Sequence, residues 1–170
     1  LQDYVAWVRK SPGGATYASP AAGSVAHFLG FQLSEDAGLK LQHIAYRGSA
    51  PAMQDLLGGQ IPAYFGFVAD FLPYLKQGRV RILGVTGEER SRFMPALPTF
   101  VEQGFAKIRG RETYGVFAPP GTTAETTQAL HAAMVNASKD AALIAAFEQV
   151  GLVTHTQTPA EYSAQIQPDR

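Results

Sequence analysis

The chain has no cysteine among its 170 residues, which excludes disulfides, zinc–thiolate sites and thiol catalysis. Charge is scarce and balanced, with 14 basic residues against 14 acidic ones. That leaves no basic surface for nucleic acid, so no nucleic-acid partner is expected. No apolar run approaches the roughly 18 residues of a membrane span. Two signatures are also missing: the Gly-rich phosphate loops of nucleotide sites, and the Gly-x-Ser-x-Gly elbow of hydrolases. No cofactor and no enzyme activity are therefore expected, although Ser49, His27 and Asp70 supply the residue types of a triad. His27, His43, His131 and His155 lie on separate elements without ligand spacing, so no metal is expected either. The first residue is Leu1, not Met, and Leu1 to Lys10 is amphipathic, unlike a signal peptide. A mature or trimmed chain is expected.

What is present is enough for a real core, at 46% hydrophobic residues and a low charged fraction. Leu1 to Arg9 has helical periodicity, ended by Ser11-Pro12-Gly13-Gly14. Thr16 to Ala18 reads as a short strand. Ser24 caps a helix to about Ala37, with Val25, Phe28, Leu29 and Leu33 on one face, stopped by Gly38. A strand over Leu39 to Tyr46 precedes a second helix, capped by Ser49 and ended at Gly58-Gly59. Strands are expected over Ile61 to Phe67 and Val80 to Val85, around a short helix from Ala69 to Gln77. This alternation implies an open, mainly parallel α/β sheet with helices on its faces. After a loop from Thr86 to Pro98, a short helix to Gln103 is expected. Beyond Gly110 come strands at Thr113 to Ala118 and Leu152 to Thr156, with helices at Thr123 to Ser138, Ala141 to Val150 and from Pro159. The composition shifts between Arg90 and Arg111, where a crossing between two lobes is expected. The second part offers its three helices little sheet to cover.

In an open α/β sheet, ligands sit beyond the carboxyl ends of the strands. Helix N-termini there expose N–H groups and a partial positive charge that suit anions. Two such ends occur, Ala22-Gly23-Ser24-Val25-Ala26-His27 and Tyr46-Arg47-Gly48-Ser49-Ala50-Pro51. Each pairs a glycine, which lets a ligand approach the backbone, with a serine able to cap or to bind. Together they make a carboxylate cradle.

The run YRGSAPAMQDLLGGQIPAYF resembles the signature of the tripartite tricarboxylate transporter binding proteins, the Bug-type periplasmic receptors. GSVAHFLGFQL, GRVRILGVTGEERS, LPTFVEQGF and YGVFAPPGT are similar to further segments of that family, in the same order. The resemblance implies a periplasmic binding protein-like fold, a Venus flytrap of the type II-like kind. It also implies export to the periplasm, a small carboxylate ligand and delivery to membrane permease subunits, or in some members to a sensor. Carried over by position, the ligand contacts are Gly23, Ser24, His27, Gly48, Ser49 and Ala50, with Tyr46 beside the second turn. Arg47 is either a carboxylate partner or a solvated arginine.

The chain departs from the family pattern in three places. Ala26 stands where a second hydroxyl is common. Gly66 and Phe67 replace an acidic residue and an asparagine, so Phe67 is either a wall favouring a less polar ligand body or ordinary core. The glycine-rich start and first strands of the family are absent. Residues 1–105 are therefore expected to form the complete second lobe, and 106–170 the C-terminal part of the first. Apolar helix faces left exposed by that arrangement would favour self-association. An interaction or sensory module contacting a partner protein is the alternative.

Overall fold

The computed structural model describes residues 1–11, 15–110 and 112–166. The expected Pro12-Gly13-Gly14 helix stop and Arg111 of the lobe crossing lie outside them. The chain divides into a first compact unit, Leu1–Thr113, and a second beginning at Tyr114.

The first unit is built around one short strand. β1 (Ala15–Ser19) leads into α2 (Val25–Asp36), which returns to β2 (Leu41–Ala45), parallel to β1 with Ala15 opposite Leu41 and Ser19 opposite Ala45. On its other edge β1 meets the chain again, through a parallel bridge from Ala18 to Tyr64. The Ala18 N–H donates to the Ala63 carbonyl and its own carbonyl accepts from Phe65 N–H, both at 2.9 Å. β1 is thus a central strand, and it is buried accordingly, with Ala18 at 0% exposure.

Side chains alternate across the strands and so divide between two faces. Tyr17 and Ser19 share one face with His43, and there Tyr17 donates from its hydroxyl to the His27 carbonyl of α2 at 3.0 Å. α1 (Gln2–Arg9) and the segment 99–108 complete this side, packing Val5, Val8, Phe100, Phe105 and Ile108 with Leu29 and Leu33. Two side chains tie the helices down. Arg9 Nη2 donates to the Ala37 carbonyl at 2.9 Å, a cation at the end of α2 where the helix dipole favours one. Buried Ser34 donates to the Leu39 carbonyl at 2.7 Å and accepts from Leu41 N–H at 3.2 Å, fixing the turn into β2. On the opposite face lie α3 (Ser49–Leu57) and α4 (Val68–Leu75), to which Tyr64 reaches by its hydroxyl.

Several expected strands do not form as such among the described residues. Ile61 to Phe67 contributes only the Tyr64 bridge. Val80 to Val85 contributes a single bridge from Val85 to Thr99. There the Leu83 carbonyl is met by the Gln103 side-chain amide at 3.0 Å, so backbone pairing is replaced by a side chain. The expected helix to Gln103 is a run of turns. Thr99 and Glu102 bond reciprocally as a capping box does, but Gly104, at φ +93°, ends the segment before a helix develops.

The second unit holds α5 (Ala124–Ala137), α6 (Ala141–Gln149) and α7 (Pro159–Ile166). Their starts are well specified. Thr123 accepts from Thr126 N–H, Asp140 from Ala142 and Leu143 N–H, and Thr158 forms a reciprocal box with Glu161. None of the three helices buries a residue. The strands expected at Thr113 to Ala118 and Leu152 to Thr156 are absent, because no described strand pairs with them.

Gly30 shows how closely α2 sits on β1. A Cβ built there would meet Tyr17 Cε2 at 2.1 Å, and that ring is 2% exposed and held by its hydroxyl bond. Gly30→Ala recovers helix propensity of roughly 1 kcal/mol, whereas overpacking a core costs about 1–3 kcal/mol. We expect net destabilisation, read as a lower urea midpoint. A raised midpoint would show that Tyr17 can yield.

Candidate functional site

β1 takes β2 on one edge and the Tyr64 segment on the other, so the connections leave it in opposite directions. This is the topological switch point at which open α/β sheets bind ligands, beyond the carboxyl ends of the strands. Three loops meet there: Pro20–Ser24 after β1, Tyr46–Gly48 after β2, and Gly66–Phe67 after the bridge.

Backbone bonds join the first two loops. Tyr46 N–H donates to the Ser19 carbonyl at 3.0 Å and Gly48 N–H to the Pro20 carbonyl at 2.8 Å. The starts of α2 and α3 are therefore neighbours. Both turns depend on glycine. Gly23 has φ +76°, and Gly48 lies at φ +101°, ψ 173°, a region essentially reserved for glycine.

Ser24 is the N-cap of α2, accepting from His27 N–H at 3.2 Å. Its one hydroxyl proton goes to the Ala21 carbonyl at 2.8 Å, which leaves Ser24 none to offer an anion in this arrangement. Ser49 differs from expectation. Gly48 occupies the N-cap position of α3 without a side-chain cap, and Ser49 is the first helical residue. The chain prefers this because the Gly48 conformation turns it sharply enough to start the helix one residue earlier.

The donors left are on the backbone. Among the described residues, the N–H groups of Val25, Ala26, Ser49 and Ala50 bond to no protein acceptor, as first-turn N–H groups have no intrahelical partner. Val25 was not among the expected contacts, since its apolar side chain carries no signal. Only its place in the first turn marks it. At Ala26 the hydroxyl common elsewhere is missing, but the N–H remains.

The other expected residues are placed as follows. His27 lies on the first turn of α2, its Nδ1 accepting Gly23 N–H at 3.1 Å and its ring stacked on His43 at 3.8 Å. Tyr46 directs its hydroxyl away from the turn, to Asp55 Oδ2 of α3 at 2.6 Å. That bond, then burial, pushes the phenol up to about 12. Phe67 is half-buried at the start of α4, its N–H held by Asp70 Oδ2 at 3.0 Å. The same oxygen accepts from the Tyr64 hydroxyl, whose pKa is driven above the usual tyrosine range, first by burial. A Cβ at Gly66 would run into the Tyr64 ring at 2.2 Å, so this loop also requires glycine. Asp70 is committed to Tyr64 and Phe67, and His27 Nδ1 to Gly23. Ser49, His27 and Asp70 do not assemble as a triad.

A depression of about 460 Å³ elsewhere on the first unit is lined by Thr86 to Glu89, Arg109 and Gly110. Its one arginine is already paired with Glu88 at 2.9 Å, so it offers an anion less than the helix starts do. Among the described residues no group of His, Cys, Asp or Glu is arranged to hold a metal. No helix among them is long and apolar enough to cross a membrane.

Comparison with known proteins identifies the family. The profile described as "Tripartite tricarboxylate transporter family receptor" matches residues 1–169. A Cupriavidus necator protein, named for its position in the gbd 5' region, is 36% identical over 81% of this chain and 41% of its own length. A solved structure described as a periplasmic transporter superposes with a TM-score of 0.89 at 29% identity, covering 99% of this chain and 56% of that one. An R. palustris protein solved with adipate gives 0.87 at 22% identity, with the same coverage. The chain thus spans about half the length of these relatives. Shared fold and collinear sequence over nearly all its residues place the chain in the tripartite tricarboxylate transporter receptor family.

Proposed function

We propose that the chain captures a small carboxylate in the periplasm for delivery to the permease subunits of a tripartite tricarboxylate transporter. The observation that carries this is the pairing of two helix starts, α2 and α3, with unbonded N–H groups at Val25, Ala26, Ser49 and Ala50. Such donors, backed by two helix dipoles, suit an anion and activate nothing. The adipate-bound relative of the same fold supports a carboxylate as that anion. We further propose that the first unit is one complete lobe and that the second contributes the C-terminal part of another. Phe67, half-buried beside the switch point, would favour an aliphatic or aromatic ligand body over a polar one.

A second reading rests on a separate observation. Tyr114, Val116 and Phe117 are each at least 70% exposed, and Leu130, Met134 and Val153 are close to half exposed. Such a concentration of exposed apolar residues marks an association surface. A truncated module that associates with a partner protein, or with itself, is therefore the alternative.

Four outcomes are expected. Melting of the full chain against adipate, other dicarboxylates and monocarboxylates should show stabilisation by at least one class; indifference to all of them would remove the carboxylate reading. In Gly48→Ala, backbone strain of about 1–3 kcal/mol should reshape the turn and abolish binding. Ser49→Ala should weaken binding only several-fold, by the roughly 0.5–1.5 kcal/mol of one hydrogen bond, and lower the melting temperature slightly, since its hydroxyl also bonds Tyr64. An unaltered affinity would exclude its hydroxyl from the site. Light scattering should find a dimer or larger, dispersed by Phe117→Glu; a monomer at every concentration would sink the association reading.

A further inference from the structure

Behind the Gly23–Ser24 turn, five residues close a ring of contacts that the binding reading does not use. Ser19 Oγ donates to the Ala21 carbonyl at 2.9 Å. A hydroxyl has one proton, so the 2.7 Å contact between Ser19 Oγ and His43 Nε2 runs the other way: His43 carries its proton on Nε2 and donates it. The His43 ring stacks on that of His27, with centroids 3.8 Å apart and planes 15° from parallel. His27 Nδ1 accepts from Gly23 N–H and therefore holds a lone pair, which puts the proton of its neutral ring on Nε2. Ser24 closes the circuit, accepting from His27 N–H and donating to the same Ala21 carbonyl that Ser19 uses.

We propose that Ser19 and His43 are positioning residues for the anion-binding turn. Ser19 fixes the His43 ring by its bond to Nε2, and His43 fixes the His27 ring by stacking, so that His27 Nδ1 stays on Gly23 N–H while Nε2–H is left as a donor toward the ligand. Among the described residues nothing else bonds to His27 Nε2. The assignment rests on the carboxylate reading only for the last step; the tautomer follows from the protein's own bonds.

The surroundings favour neutral rings. β1 presents Tyr17, 5.0 Å from His43 and bonded through its hydroxyl to the His27 carbonyl, and α2 presents Phe28, 5.3 Å from His27. Phe65 packs edge-on against Tyr17 from the bridge segment. Among the described residues no Asp, Glu, Lys or Arg bonds to either imidazole. Burial, with the neighbouring His27 second, holds the His43 pKa below the ordinary histidine value. Stacked this closely, the two rings cannot both be cations without strong repulsion. Protonation of His27 at Nδ1 would also set an N–H against the Gly23 N–H and open the turn.

The test is a two-bond ¹H–¹⁵N histidine spectrum of the ligand-free chain, followed through pH, in the wild type, Ser19→Ala and His43→Phe. The wild type should show both rings as Nε2–H tautomers. His43→Phe keeps a stacking partner but removes the bond to Ser19 that fixes the ring's place. In Ser19→Ala, which frees the His43 donor, tautomers should mix, and adipate should bind several-fold more weakly in both variants. An Nδ1–H or mixed His27 in the wild type would overturn the proposal, and that measurement needs no variant to fold. So would wild-type adipate affinity in both variants. If no acid binds even the wild type, the carboxylate reading falls, and with it the ligand-facing step, while the spectra still decide whether Ser19 and His43 hold the ring.

Discussion

The architecture of the first unit depends on β1 being paired on both edges, to β2 along its length and to the Tyr64 segment through the backbone of Ala18. With no exposed surface and a methyl side chain, Ala18 lets a helix layer close on its face of β1 while the strand serves two neighbours. Because those neighbours are β2 on one side and the Tyr64 segment on the other, three loops must emerge at the same edge. A larger residue at this position would separate the layers. A single missing backbone bond would release the Gly66–Phe67 loop. The site is thus a product of strand order before any of its side chains is considered.

Within that edge, the hydroxyls serve the protein first. Ser19 and Ser24 both give their protons to the Ala21 carbonyl, and Tyr46 gives its own to Asp55. What remains for an anion is peptide N–H, rigidly held by helix geometry and insensitive to side-chain identity. A site of that kind tolerates substitutions such as Ala26 without losing its donors.

Much of this was legible in the sequence, and the failures have identifiable causes. Periodicity and capping residues located every helix of the second unit and α1 to α4 of the first. The Gly-Ser turns stand at the starts of α2 and α3, as their sequence implied. Strands were harder. Ile61 to Phe67 has strand composition, but its neighbour β1 is only five residues long and leaves it one bridging partner. At Val80 to Val85, Gln103 replaces ladder bonding from 20 positions away, which no local pattern announces. Ser49 misled because serine is the stronger cap by type, whereas Gly48 wins by conformation. The Ser19–His43 pair was hidden because strand register sets it, and register is not written in either segment alone.

The second unit poses the inverse problem. Its helices start at well-formed caps, so local sequence specifies them strongly, yet they bury nothing. Local specification without burial is a weak source of stability, since isolated helices of 8 to 14 residues are marginal in water. The apolar side chains of Tyr114, Val116 and Phe117 are largely exposed. Helices and an apolar segment of this kind become a stable layer only when a further surface is supplied. The family's greater length and association between chains are the two physical sources of such a surface.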